Sequence, residues 1–294
     1  METVEQFEEF IIGIQKKHNK PVQILAHSMG GVITMSVINK NPDLFHSVVF
    51  VGVPFGSGIG YIHDLQEGIP LGYNKLAFTP KVLFSFPSSF WTFPHKDEKH
   101  PFYTGIYEFD EKCPISSLPN RNYAAYSVSD NLFDLKPESP DPIPIENKWN
   151  LTKVDIDFYN AKDWLKYKIG LFSSEEYSEE ETKILLEHLQ NCLDKGKQFR
   201  MSIQYKEDVK YPPMSVVSGD KYPTIVSIYK EGPNSIHGLD FTSAPRIYGD
   251  GRIPYNQSFP DERIPHKKVS SDLHHQILLN DLPLYYSLLN ELLL

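Results

Sequence analysis

The chain has 294 residues, 40% hydrophobic and 23% charged, which is enough apolar content for one large globular domain or a domain carrying a sizeable insertion. Its formal charge of -9 is spread over short acidic and basic clusters, so it lacks the basic stripe that a nucleic-acid partner requires. Cys113 and Cys192 are the only cysteines, too few for a disulfide framework and unlike any zinc-ligand spacing. Neither a metal nor a cofactor is implied, and no protein partner is legible. No run approaches the roughly 20 apolar residues of a membrane span, and the first residues lack the basic n-region of a signal peptide. On this basis the chain is expected to be soluble and cytoplasmic. Asn150-Leu-Thr and Asn256-Gln-Ser match the glycosylation pattern, but so short a pattern recurs by chance.

From Val4 to Lys17, Phe7, Phe10, Ile11 and Ile14 recur at three- and four-residue steps, which predicts an amphipathic helix. Asn19 and Pro21 stop it, and Val22 to Ala26 reads as a short buried parallel strand. His27-Ser28-Met29-Gly30-Gly31 follows, then Val32, Ile33, Met35, Val37 and Ile38 at helical spacing. Ser47 to Val53 is a second strand. Strands alternating with helices predict a parallel sheet with helices on both faces. Residues 73 to 109 are dense in aromatics, among them Phe84, Phe86, Phe90, Trp91, Phe93, Phe102 and Tyr103, and read as an insertion with little regular structure. Pro137, Pro140, Pro142 and Pro144 mark a stiff loop. Helices are expected in Asn160 to Tyr167 and Glu179 to Lys197, the latter opened by the capping-box pair Ser178 and Glu181. Met214 to Val217 resumes the sheet, with Thr224 to Tyr229 as a candidate hairpin partner. Lys267 to Ser270 is a further short strand, and a helix from Asp281 closes the chain. The expected division is a core in 1–56 and 211–294 interrupted by a cap or lid in 57–210.

Ala26-His27-Ser28-Met29-Gly30 has the form small-x-Ser-x-Gly between a strand and a helix, as a nucleophile elbow requires. Small flanking residues let the serine occupy a strained turn, which lifts its hydroxyl clear of the sheet and aims the Met29 amide at a developing oxyanion. An activated serine needs a histidine base and an orienting acid, both downstream in this fold. The acid candidate is Asp250 in Tyr248-Gly249-Asp250-Gly251, with Asp220 as its rival. For the base, the tandem pair His274-His275 is better placed than His266 or His237, because it follows the last strand and precedes the final helix. His274 is preferred for its spacing from Ile277 and Leu278, and His275 stays open.

These residues resemble the lecithin:cholesterol acyltransferase-like family, which includes lysosomal phospholipases and phospholipid:diacylglycerol acyltransferases. The resemblance is carried by Ala26-His-Ser-Met-Gly-Gly, Phe50-Val-Gly-Val-Pro-Phe-Gly-Ser57, Ser85-Phe-Pro-Ser88, Tyr248-Gly-Asp-Gly251 and His274-x-x-Ile-Leu. Phe158 to Trp164 is also similar to a segment of soluble, bacterial-type relatives. The resemblance implies an α/β-hydrolase core with a cap, the triad Ser28, Asp250 and His274, and lipid acyl ester substrates. Transient contact with a membrane or lipid aggregate is compatible with this, and Trp91 and Phe86 in the aromatic insertion are candidate acyl-binding residues. The family's acid motif Gly-Asp-Gly-Thr-Val is continued differently here, by Arg252-Ile253-Pro254.

An α/β-hydrolase of this kind has four strands before the nucleophile strand, and only about 20 residues precede Val22. The strand Val22 to Ala26 is therefore expected to have an open apolar edge, and one oxyanion donor is expected to be missing. Two competing readings follow: a non-catalytic lipid- or partner-binding fragment, and a carboxylesterase of small esters.

Overall fold

The computed structural model describes residues 2–71, 74–96, 104–109, 151–232 and 234–291. They form a mixed α/β protein that divides into two compact units, one made of residues 1–56, 198–224 and 248–294 and the other of 57–197 and 225–247. Tyr73, Phe102, Tyr103, Cys113, the four prolines from Pro137 to Pro144 and Asn150 lie outside the described residues.

In the first unit, helix α1 (Glu2–His18) turns its buried Val4 and Ile11 inward and is followed by strand β1 (Val22–His27). Helix α2 (Met29–Ile38) follows, apolar on most of its surface and largely buried, as a helix enclosed by other elements must be. Strands β2 (Phe45–Val51), β3 (Met214–Gly219) and β4 (Lys267–Ser271) complete a parallel sheet of order β1-β2-β3-β4. The inner strands β2 and β3 are buried on both faces apart from His46, which is why they carry consecutive apolar and small residues around paired valines rather than an alternating pattern. Helix α3 (Leu282–Glu291) packs Tyr285 and Leu288 against Val49, Val51 and Val217. Among the described residues β1 pairs on one side only, with β2, and its Leu25 is 37% exposed.

In the second unit, a sheet of order Leu239–Asp240, Ser227–Lys230, Gly105–Phe109, Leu151–Lys153 forms around one parallel pairing, Ser227–Lys230 with Gly105–Phe109. That pairing corrects two expectations. Thr224 to Tyr229 is not a hairpin partner of β3, because Ser227–Lys230 hydrogen-bonds into the other sheet; and 225–247 therefore belongs with the insertion rather than with the core. Strand composition shows that a segment extends but not which edge it meets. The aromatic stretch also has more regular structure than its prolines and glycines suggest, with helix Pro80–Phe84 and strands Asn74–Phe78 and Gly105–Phe109. Its rings fill a core: Trp164 is fully buried, meets Phe84, Phe90 and Phe93 edge-on at 5.9, 5.7 and 5.2 Å, and donates its indole N–H to the Phe158 carbonyl at 2.9 Å. Helix Glu179–Ser202 opens with the reciprocal capping box, Ser178 Oγ accepting from the Glu181 amide and the Glu181 carboxylate accepting from the Ser178 amide.

Gly31, on the first turn of α2, faces the buried Val53, and a Cβ there would lie 2.2 Å from Val53 Cγ2. Val53 is β-branched and has little freedom to turn aside. Gly31→Ala is expected to lower stability by about 1–3 kcal/mol through overpacking, read as a lower urea midpoint.

Candidate active site

The carboxyl ends of β1, β2, β3 and β4 lie at one end of the sheet, where open α/β sheets bind ligands. The chain leaves β1 at Ser28 with φ 52 and ψ -126, a backbone state that costs a non-glycine residue on the order of 1–3 kcal/mol. The turn is held by Ser28 N–H donating to the Val51 carbonyl at 3.0 Å and Gly31 N–H to the Ser28 carbonyl at 3.0 Å. Ser28 thus sits immediately before the N-terminus of α2. The Met29 amide, first in that helix, has no intrahelical acceptor, the condition under which a helix N-terminus binds an anion.

His275 follows β4, and its Nε2 lies 3.1 Å from Ser28 Oγ while its Nδ1 lies 2.7 Å from Asp250 Oδ2. A carboxylate only accepts, so Nδ1 carries the proton and the Nε2 lone pair faces the serine hydroxyl. Asp250 is fully buried. Burial alone pushes its carboxyl up, but the hydrogen bond and charge of His275, with the Ile253 and Arg252 amides, outweigh this and hold it below its ordinary range. Both amides bind Oδ1, at 2.7 and 2.9 Å. The residues after Gly251 therefore hold the acid through backbone N–H groups, a task that Arg252-Ile253 performs whatever its side chains. The glycines around the acid leave no room for a side chain: a Cβ at Gly52 (φ +52) would sit 3.1 Å from both Asp250 Oδ2 and His275 Nδ1, and one at Gly219 would sit 2.7 Å from Asp250 Cβ.

No protein-family model matches the chain. It is 25% identical over 287 residues to the uncharacterized Saccharomyces cerevisiae protein YJR098C, a match covering 91% of this chain and 43% of that protein. Among solved structures it is similar to a chain of the Tle4-Tli4 complex, with a TM-score of 0.44 and 11% identity over 92% of this chain and 60% of that one. The chain spans less than half the length of the yeast relative.

Of the residues singled out in the sequence, Ser28 and Asp250 come together and His274 does not join them. His274 precedes the 3-10 turn His275–Asn280, where its Nδ1 accepts from the Gln276 amide at 3.4 Å and its ring meets Tyr222 edge-on at 5.1 Å. Burial, with His275 and Arg252, lowers its pKa against the pull of Asp250. The preference for His274 is corrected by helix geometry. In a three-residue turn i and i+3 share a face; Leu278 is the fully buried member of the apolar pair, so its inward-facing partner is His275. The rival Asp220 pairs with Lys221 at 3.3 Å, His266 binds the Ile264 carbonyl at 2.7 Å, and His237 is an exposed turn residue with φ 50. Trp91 and Phe86 belong to the second unit, Trp91 being 3% exposed and Phe86 43%; a ring so buried packs the protein instead of presenting an acyl-binding face. Among the described residues no group of three or more histidine, cysteine or acidic side chains could hold a metal ion, and no helix is long and apolar enough to cross a membrane.

Two outcomes are expected. His275→Gln removes Ser28 reactivity by about 10⁴-fold or more, whereas His274→Ala leaves it within about tenfold and costs about 0.5–1 kcal/mol as a lost cap; rates of covalent labelling and urea midpoints of the two variants separate the roles. Asp250 has a folded pKa below its ordinary 3.8, so its contribution to stability is fully present above about pH 4 and is lost as pH falls through the folded value. Asp250→Asn is expected to flatten that acid limb of a stability-versus-pH curve.

Proposed function

We propose that the chain is a serine-dependent acyl ester hydrolase or O-acyltransferase working through an acyl-enzyme. The observation that carries the reading is the unbroken path from Ser28 Oγ through His275 to the buried Asp250, at 3.1 and 2.7 Å. Ser28 attacks the ester carbonyl while His275 Nε2 takes its proton, and Asp250 holds the imidazole in the required tautomer and stabilises its positive charge. The Met29 amide and the N-terminal end of α2 stabilise the oxyanion. His275 then returns the proton to the leaving alcohol, and water or a second alcohol attacks the acyl-serine under the same base. Hydrolysis and transfer share this intermediate and differ in how well water is excluded.

For substrate we propose lipid acyl esters, phospholipids among them. Support comes from the family resemblance of the Ser28, Asp250 and histidine segments, and from the exposed apolar side chain of Met29, 44% exposed, next to Ser28 in the chain.

The test is labelling with a fluorophosphonate. The chain is expected to be modified at Ser28 and its Ser28→Ala variant left unmodified; equal labelling of both removes the enzyme reading and leaves a non-catalytic lipid-binding role. A preference for micellar over monomeric esters is the result expected of a lipid enzyme, and the reverse preference makes the protein a carboxylesterase of small esters.

A further inference from the structure

His275 is bound at every polar atom it has. Its N–H donates to the Asp250 carbonyl at 2.8 Å, its Nδ1–H to the Asp250 carboxylate at 2.7 Å, its Nε2 meets Ser28 Oγ at 3.1 Å, and its carbonyl meets His27 Nε2 at 3.1 Å. Two consecutive residues of the elbow therefore grip the same histidine, one by its ring and one by its backbone. His27 is the last residue of β1, fixed in register opposite Val51, so its grip ties the loop after β4 to a rigid strand end. The two imidazole rings lie 4.8 Å apart, tilted by 36°.

We infer that His27 is a positioning residue for the proposed reaction: by donating from Nε2 to the His275 carbonyl it sets the distance between base and nucleophile. The inference rests on the serine-hydrolase reading of the same site. A carbonyl only accepts, so His27 must carry its proton on Nε2. His27 must also stay neutral, since a cation in van der Waals range of His275 opposes the imidazolium that forms when Ser28 attacks. Its surroundings meet that requirement. Burial and the neighbouring His275 lower its pKa, while the bond to the His275 carbonyl and the more distant Asp250 charge oppose this without reversing it. Without His27 the backbone of the base keeps its bond to the Asp250 carbonyl and its place in the 3-10 turn but loses its tie to β1, and a displacement of about 1 Å in a catalytic group is enough to cost roughly a hundredfold in rate.

The experiment uses the full chain and two variants. His27→Phe keeps an aromatic ring but has no donor; His27→Gln keeps an N–H donor at nearly the position of Nε2. His27→Phe is expected to lower kcat and the fluorophosphonate labelling rate about 10- to 100-fold, with KM little changed, and His27→Gln to recover most of the loss. Urea midpoints report whether each variant folds. A His27→Phe variant that labels at the wild-type rate, or a His27→Gln variant as slow as His27→Phe, overturns the inference while leaving Ser28-dependent labelling of the wild type, and hence the parent reading, intact. If the wild type shows no Ser28-dependent labelling, both fall together. A readout independent of activity is the nitrogen NMR spectrum of the histidines in the Ser28→Ala background: His27 is expected as the neutral form protonated on Nε2 at pH 7, and the Nδ1-protonated form there overturns the proposal.

Discussion

A carboxylate taken wholly out of water must recover its hydration from the protein, and an unpaired one in the interior costs many kcal/mol. Asp250 recovers it from two consecutive backbone amides and one imidazole. Much else in the first unit serves that exchange. The turn through Gly251 closes the amides on Oδ1, the absence of side chains at Gly52 and Gly219 lets the ends of two strands approach the acid, and Leu278 seals it from below by packing where a Gly52 Cβ would stand. The histidine is thus placed by the acid's need for a third donor as much as by its own loop.

Ser28 depends on a different constraint. Ser28 can hold its left-handed backbone only because the sheet and α2 over-determine it: from Gln23 and Ser47 onward β1 is registered on β2 residue by residue up to His27 and Val51, and α2 is locked by Gly31 against Val53. A strained turn between two packed elements has little freedom to relax, which keeps Ser28 Oγ at one distance from His275 Nε2. Rigid strand ends carrying short loops give the site a precision that long loops would not.

The sequence made the elbow legible because its rule is local: a strand, a small-x-Ser-x-Gly turn and a helix are contiguous. The strands of the first sheet were legible as short runs of extended character, β1 and β2 more plainly than the lysine- and serine-rich β4. Asp250 was legible from its flanking glycines. The histidine was one residue off, since Ile277 and Leu278 are equally apolar as letters and only the folded turn shows which one is buried. His27 carried no signal of its own, because its role depends on a residue 248 positions away. The partnering of Ser227–Lys230 with Gly105–Phe109 failed for the same reason; propensity names strands, not neighbours.

That pairing has a consequence for the order in which the protein can assemble. The chain passes between its two units four times, at residues 56, 197, 224 and 247, so neither unit is a continuous stretch. During synthesis the strand Gly105–Phe109 must wait for more than a hundred further residues before its parallel neighbour emerges, and β2 waits longer still for its neighbour β3 and for α3 to cover its face. Apolar strands left unpaired for that interval are exposed to off-pathway association. A nascent chain of this topology is protected only once β4 and α3 have emerged to join β1 and β2.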